Sequence, residues 1–383
     1  MVETIYHSSP VSHRKRIMRN FTSARKPAFA SKAGIIFIIM FMVGCLSSPA
    51  ELWAEEKPRH HTENGFRNYP LVPDPPPVGA AFYARRVLGS LFLPDVPDDH
   101  ALSEEEAINQ FQQLNGQDSI TWLGHATFLI RMNGKTILTD PFLTEFASPL
   151  WEFGPRRYVS SGISLDKLSP IDMIVVSHNH LDHLDAETIE SLPGKENIHV
   201  FVPLGLKPFF KERGYSNVEE LDWDERFLHD GIELTALPVV HFSGRGMNDK
   251  DKTLWCSWSI ASRSGKLFFS GDTSYSPTIF KTIGKKYGPF DLGIVSLGAY
   301  KTREHGPAPH LTPEEAVTVA IETESNVAAA MHWGTIEPSD EPPWEAPVRF
   351  KKAAQANGIS LDQIWVMKVG ESRLIPKQEA SMK

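Results

Sequence analysis

The sequence predicts an α/β protein in which two β-sheets pack face to face with helices on the outside. Short apolar runs rich in β-branched residues predict the strands, and a similar order of strands occurs in each half of the chain. With 383 residues, of which 41% are hydrophobic, the chain can bury the core of one large domain or of two ordinary ones.

The first half contains a hairpin, a buried strand and a helix. The Asn133-Gly134 pair is the hairpin signal. In chain order the predicted elements are the strands Ile120–Leu123, Ala126–Met132, Lys135–Asp140 and Ile171–Val176 and the helix Asp185–Leu192.

The second half repeats this order, with a turn at Ser264-Gly265 and a buried strand FDLGIVS that matches IDMIVVS of the first half. Two such sheets packed face to face bring both sets of strand ends to one edge, where ligands usually bind. The predicted elements are the strands Thr253–Ser262, Lys266–Asp272 and Phe290–Ser296 and the helix Pro313–Thr323.

The buried strand of the first half ends abruptly in three histidines and an aspartate, in the stretch IDMIVVSHNHLDHLD. In extended chain His178 and His180 lie two apart, so both rings point to one side and can hold one metal ion. Asp182 and His183 follow one turn later and suit a second ion. The alternative is a solvated, histidine-rich helix start capped by Asp185.

Three further candidate ligands, His241, Asp272 and His332, stand at the ends of predicted strands. Seven nitrogen and oxygen ligands suit two adjacent ions, and two ions about 3.5 to 4 Å apart can activate water as a nucleophile. Cysteine ligands are absent from this set, which argues against a structural zinc site. In the arrangement that uses every residue, one ion is held by His178, His180 and His241, the other by Asp182, His183 and His332, and Asp272 bridges them.

These motifs together resemble a known family. SHNHLDHLD, SGDTSY and MHWGT resemble the metallo-β-lactamase superfamily. Within it the chain is similar, from about Gly65 to Arg373, to the N-acyl-phosphatidylethanolamine-hydrolysing phospholipases D. The motifs that carry this second resemblance are TWLGHATFLI, the Asp140-Pro141 step, LWCSWSI, KKYGPFDLG, HLTPEEAV and GESR.

The resemblance implies an αββα sandwich with two Zn²⁺, for which Mn²⁺ or Fe²⁺ are alternatives, held by the seven ligands above. It implies hydrolysis of a phospholipid at the phosphodiester, which releases an N-acylethanolamine and a phosphatidic acid. It also implies that His310 lines the substrate site, where it could bind phosphate or protonate the leaving oxygen. Asp182, Asp272 and His310 are thus the candidate catalytic residues. The alternative for His310 is a position just before a helix capped by Thr312 and Glu315.

Three more positions complete the expectations for the site. Asp140 is expected to orient a metal-binding histidine, and His125 has either that role or a structural one. Relatives carry an aromatic-rich segment before the histidine that His310 matches, whereas Lys301–Pro309 reads KTREHGPAP. This loss of an apolar wall predicts weak discrimination for the acyl chain.

Other functions stay open beside the phosphodiesterase. The same metal chemistry suits hydrolysis of a lactone, thioester or β-lactam, or of nucleic acid. The acidic chain, with a net charge of −8, argues against nucleic acid as a partner. A metal-holding envelope protein without activity is disfavoured, because all seven ligands are present. A membrane surface is an expected partner and a homodimer an additional one.

Residues 1–45 are predicted to be a signal sequence. Basic residues precede the apolar run Ala33–Leu46, and Met42-Val43-Gly44-Cys45 resembles the lipobox of bacterial lipoproteins. The expected location is the bacterial envelope, as a lipid-anchored protein of the outer membrane or periplasm. Alternatives are an uncleaved anchor in the inner membrane or cleavage at another site, and Met18 is an alternative start.

The remaining segments give the predicted domain organisation. Residues 46–79 are proline-rich and form a tether or a strap, residues 80–376 form the hydrolase domain, and residues 377–383 are a tail. Ala80–Leu93 has its polar residues on one helical arc, which predicts either a membrane-surface helix or a helix docked on the core.

We predict that Cys45 carries lipid, because it follows a basic and then an apolar segment. Cells fed a fatty-acid probe should label the wild-type protein and not Cys45→Ala. Equal labelling of both proteins, or of neither, contradicts the prediction.

Overall fold

A computed structural model of the protein describes residues 57–72, 92–149, 154–168, 170–301, 309–336 and 341–377. Lys57–Lys383 cluster into one compact unit. Within the described ranges, no helix has the length and hydropathy needed to cross a membrane. The predicted signal sequence, nearly all of Ala80–Leu93, residues 302–308 and residues 378–383 lie outside these ranges.

The first of two seven-stranded sheets has the order β14-β1-β2-β3-β4-β5-β6. Strands β14, β1, β2 and β3 pair antiparallel, and β3, β4, β5 and β6 pair parallel. The strands are β1 (Ser119–Gly124), β2 (Thr127–Met132), β3 (Lys135–Thr139), β4 (Met173–Val175), β5 (His199–Pro203), β6 (Asn217–Leu221) and β14 (Ser372–Leu374).

The second sheet has the order β13-β12-β11-β10-β9-β8-β7. Strands β7 to β10 pair antiparallel, and β10 to β13 pair parallel, so both sheets are mixed in the same way. The strands are β7 (Arg226–His229), β8 (Ile232–Leu237), β9 (Ser257–Ala261), β10 (Lys266–Phe269), β11 (Phe290–Ser296), β12 (Ser325–Met331) and β13 (Ile364–Trp365).

Helices cover the outer face of each sheet, so the predicted αββα sandwich is confirmed. Apolar residues of α1, α2 and α3 share one buried cluster with the first sheet, and those of α4, α5 and α6 share another with the second. The helices are α1 (Glu104–Gln113), α2 (Ala186–Ser191), α3 (Lys207–Lys211), α4 (Ile279–Tyr287), α5 (Pro313–Glu322) and α6 (Glu345–Ala356).

Alternation along the strands assigns side chains to the two faces of the first sheet. In β2, Phe128 and Ile130 enter the core between the sheets, while Leu129 packs under the outer helices. In β4, Met173 and Val175 face inward and Ile174 faces outward. Both faces of these strands are therefore buried, which explains why they appear in the sequence as continuous apolar runs.

The duplication predicted from the sequence is visible in the strand order, because the hairpin β2-β3 with parallel β4 matches the hairpin β9-β10 with parallel β11. The strand predicted at Thr253–Ser262 is shorter, since it starts at Ser257. Before it, the amides of Leu254 and Cys256 donate to carbonyl groups of Leu204 and Ser177 in the other half of the sandwich. These residues join the halves instead of extending the sheet.

Candidate metal centre

The sequence-predicted ligands lie together at one edge of the sandwich, where strands of both sheets end. Several strand ends turn there through left-handed backbone: φ is 54° at His125, 32° at Asp140 and 63° at His332. Such a conformation is uncommon outside glycine and is concentrated at functional sites. It allows each side chain to leave its strand and enter the space between the sheets.

Gly271, just before Asp272, shows how closely the two halves approach. A Cβ atom on this residue would lie 2.5 Å from the Cβ atom of Ser177, and its φ is 54°. Only glycine meets both conditions without displacing a neighbour. The close approach places Asp272 of the second half beside His178 of the first.

The first group of candidate ligands is His178, His180, His241 and Asp272, whose possible ligand atoms all lie within 4.8 Å of one another. His178 Nε2 lies 2.8 Å from His180 Nδ1, and His241 Nε2 lies 3.3 Å from the same nitrogen. Three ring nitrogens thus converge on one point, as in a tri-histidine metal site.

The second group is His125, Asp182, His183 and His332. Asp182 Oδ2 lies 3.6 Å from the Nε2 atoms of both His183 and His332. The two rings stack with centroids 5.2 Å apart. This group contains the three residues predicted for the second ion, with His125 in addition.

The carboxylate of Asp272 lies between the two groups. Its Oδ2 atom is 3.1 Å from His183 Nε2 and 3.2 Å from His332 Nε2. The same oxygen is 3.9 Å from His178 Nε2 and 3.8 Å from His241 Nε2. This placement is the one that a carboxylate shared by two ions requires.

Several nitrogen and oxygen atoms that could bind metal are buried and form no hydrogen bond with the described residues. They are His183 Nε2, His332 Nε2, His310 Nδ1 and Asp272 Oδ1. Buried polar atoms are nearly always paired, so a cluster of unpaired donor atoms facing one another fits a bound cation. The nitrogen and oxygen donor set suits a transition metal such as zinc.

The pKa values agree with metal binding in the first group. Burial lowers the pKa of His178 and His241 well below its usual value and that of His180 to about 4. These imidazoles are therefore neutral near pH 7, and the neutral ring is the form that binds metal.

In the second group the pKa of a histidine is raised instead of lowered. Burial alone would lower the pKa of His332, but the carboxylates of Asp272 and Asp182 outweigh it and raise that pKa to about 9. Burial likewise opposes ionisation of Asp272, yet the neighbouring histidines hold its pKa well below the usual range. The pKa of Asp182 is held low in the same way, so both carboxylates are ionised and require positive charge beside them, which divalent ions supply.

Asp140 is linked to histidines of both groups, as the orienting role expected of it requires. It follows β3, is fully buried, and its Oδ2 accepts from His183 Nδ1 at 2.7 Å. It also accepts from the Ser177 hydroxyl at 2.6 Å, and that hydroxyl lies 2.9 Å from His178 Nδ1. The Asp140 carboxylate therefore contacts His183 directly and His178 through Ser177, so it can orient one histidine of each group.

His125 contacts the centre more directly than the sequence indicated. Its ring donates from Nε2 to Asp182 Oδ2 at 2.8 Å, and its backbone nitrogen donates to Thr335 Oγ1 at 2.8 Å. The carbonyl of His125 accepts from the His332 backbone at 3.0 Å. His125 therefore holds both a carboxylate and a histidine of the second group in place.

His310 lies just before the capped start of α5 and also faces the metal centre, so its two predicted positions are compatible. Thr312 caps α5 and forms a capping box with Glu315, as predicted. His310 itself lies in the centre, with Nδ1 3.6 Å from Asp272 Oδ2 and its ring stacked on His332 with centroids 5.2 Å apart. The helix cap thus fixes the chain so that His310 faces the ligands.

Arg245 is a functional contact that sequence reasoning missed. Its partly buried guanidinium donates to the carbonyl oxygen of Asn179 at 2.9 Å and to that of Leu184. The side chain of Asn179 in turn accepts from the Gly244 amide at 2.7 Å. Arg245 therefore braces the loop that carries four of the ligands, and only its position in an SGRG turn could have suggested this.

A family model described as a beta-lactamase superfamily domain matches residues 135–333, just over half of the 383-residue chain. The chain belongs to the metallo-β-lactamase superfamily. It is 38% identical over 225 residues to N-acyl-phosphatidylethanolamine-hydrolyzing phospholipase D 1 of Caenorhabditis elegans, a match of 56% of this chain and 63% of that one. The chain thus spans less than two thirds of this relative.

Two further comparisons agree with this membership. A UPF0173 metal-dependent hydrolase of Methanopyrus kandleri is 28% identical over 257 residues, covering 66% of this chain and 98% of that protein. A solved structure of a possible metal-dependent hydrolase from Veillonella parvula has a TM-score of 0.55 at 20% identity, covering 68% of this chain and 100% of that one. The groups of His and Asp side chains at the edge of the sandwich could bind metal ions.

We predict two metal ions per chain in the wild type reconstituted with zinc, and at most one in Asp272→Ala, because the carboxylate faces both groups. Metal content measured by mass spectrometry tests this. Asp166→Ala is the control, since Asp166 is exposed and belongs to neither group. Two ions retained in Asp272→Ala would contradict the bridging position.

We expect Asp140→Asn to bind metal about 10- to 100-fold more weakly, the usual effect of losing such an outer partner. Asp140 accepts three hydrogen bonds, from two atoms of Ser177 and one of His183, and an amide cannot accept all three. Competition with a chelator measures the affinity. The exposed residue Asp166 provides the control variant Asp166→Asn, which should bind as the wild type does.

Proposed function

We propose that this protein hydrolyses phosphodiesters, as a phospholipase D that releases N-acylethanolamines or related head groups from phospholipids. The observation that carries the proposal is the Asp272 carboxylate between two groups of histidines, with His310 beside it. Two adjacent ions suit an in-line displacement at phosphorus, because they stabilise both the attacking and the leaving oxygen. The name of the Caenorhabditis elegans relative supports the same reaction and substrate class.

Bound ions would supply an activated water and neutralise charge on the phosphoryl oxygens. His178, His180 and His241 would hold one ion, Asp182, His183 and His332 the other, and Asp272 would contact both.

The surrounding residues keep this geometry rigid. Asp140 fixes the ring of His183, and His125 fixes the carboxylate of Asp182. His310 is 13% exposed at the side chain, so one edge of its ring is available to a phosphoryl or leaving oxygen. Because these groups are held in place before substrate binds, little reorganisation is needed in the transition state.

The proposed setting is the bacterial envelope, where the signal sequence and Cys45 would bring the domain to phospholipid. The proposed substrate chemistry does not depend on this anchor, since all the proposed ligands lie in the range 178–332.

The bond that is broken can be tested with zinc-loaded protein in ¹⁸O water, with ordinary and N-acylated phosphatidylethanolamine as substrates. Attack at phosphorus should place the label in the phosphatidic acid, and mass spectrometry of the products shows where it is. Asp272→Ala should give no product. Label in a released carboxylic acid would instead indicate attack on an acyl carbonyl and refute the proposal.

The same assay tests selectivity. The segment Lys301–Pro309 lacks aromatic residues, so we expect the two lipids to be cleaved at rates within about a factor of a hundred. A strict requirement for the N-acyl chain would contradict this part of the proposal.

A further inference from the structure

Residues 57–72 lie across the chain that follows β8 and carries His241. The side chain of Asn68 donates from Nδ2 to the carbonyl oxygen of His241 at 2.8 Å. The backbone nitrogen of His241 donates to Asn68 Oδ1 at 3.0 Å. One side-chain amide thus pairs with both backbone polar groups of a proposed metal ligand.

His241 has left the regular sheet, which gives this pairing its importance. Strand β8 ends at Leu237, and the next backbone link is an isolated bridge between Val240 and Ser274. Trp255 Nε1 also lies within 3.2 Å of Asn68 Oδ1, which anchors the amide to the core. Asn68 therefore satisfies the backbone N–H and C=O groups of His241, as pairing with a neighbouring strand would within a sheet.

Two further contacts hold the segment 57–72 on the domain. The amide of Phe66 donates to the Asp251 carbonyl at 2.8 Å. His60 and His61 share the carboxylate of Asp222, with nitrogen to oxygen distances of 2.6 and 2.8 Å.

The distances at Asp222 are those of hydrogen bonds, one to each carboxylate oxygen. Neither oxygen is left unpaired, unlike Oδ1 of Asp272 in the metal centre. The contact of His60 and His61 with Asp222 therefore holds the start of the segment on the domain, whereas Asn68 makes its own contacts with His241 and Trp255.

We propose that Asn68 is a positioning residue for the first metal group, and that it sets the affinity of that group by fixing the backbone of His241. The inference rests on the proposed two-metal function. It assigns a role in the centre to a segment outside residues 135–333, the part that matches the superfamily model. Because binding and ordering are thermodynamically linked, metal bound by His241 should also stabilise residues 57–72.

The test uses the full chain in detergent and zinc as the probe. Asn68→Ala should bind one of its two zinc ions about 10- to 100-fold less tightly than wild type, the range for loss of an outer-shell partner. Chelator competition measures this affinity without any substrate. In wild type, zinc should slow amide exchange in residues 57–72, and in Asn68→Ala this protection should be lost.

Two control variants separate positioning from general loosening of the segment. Arg67→Ala removes a neighbouring side chain that donates to the Arg59 carbonyl within the segment, and His61→Ala removes a contact with Asp222. Both should keep zinc affinity within about threefold of wild type, well below the range for a lost outer-shell partner. Equal weakening in His61→Ala and Asn68→Ala would overturn the specific role of Asn68.

The inference and the proposed function fail in different ways. Wild-type zinc affinity in Asn68→Ala refutes the positioning role, whatever the substrate is. If the wild type binds two zinc ions, Asn68→Ala binds one of them more weakly, and the zinc-loaded wild type cleaves no phosphodiester, the proposed reaction is refuted and the positioning role is supported.

Discussion

The carboxylate of Asp272 is the group on which the centre depends. It is almost fully buried, and its Oδ2 atom lies within 4 Å of ring nitrogens from histidines of both ligand groups. An isolated buried carboxylate costs many kcal/mol, so it persists only where positive charge and hydrogen bonds surround it. The histidines around Asp272 come together because strands of two sheets end at one edge. The left-handed backbone at His125 and His332 and the close contact at Gly271 make this arrangement possible.

The repeated architecture explains how one edge can collect so many ligands. Each half ends a hairpin in an aspartate, Asp140 in the first and Asp272 in the second. Asp140 holds His183 through its Nδ1 atom and His178 through Ser177. Asp272 instead lies beside the Nε2 atom of His183, on the side of the ring that could bind metal. Two copies of one supersecondary unit have thus acquired different roles, because one lies behind the ligands and the other between them.

The family model shows superfamily membership, whereas metal-dependent hydrolysis, its substrate and the bond that is cleaved are proposals that rest on the site. The αββα fold hosts many reactions, so function must be argued from the groups at the edge of the sheets. The proposal of phosphoryl chemistry rests on two groups of imidazoles with a carboxylate between them and on the name of a relative 38% identical over 225 residues.

The sequence by itself determined the sandwich class, both ends of strand β11, the capping box of α5 and all seven candidate ligands. These features follow from local patterns, namely alternation, turn residues and polar residues where a strand ends. Only the tertiary structure decided that His125 holds Asp182, that Arg245 braces the ligand loop and that Asn68 pairs with His241. Asn68 and His241 are 173 positions apart, and the amide side chain of Asn68 pairs with the backbone N–H and C=O of His241, groups that nearly every residue possesses. A contact of that kind leaves no mark in the local pattern, so it exists only once the chain has folded.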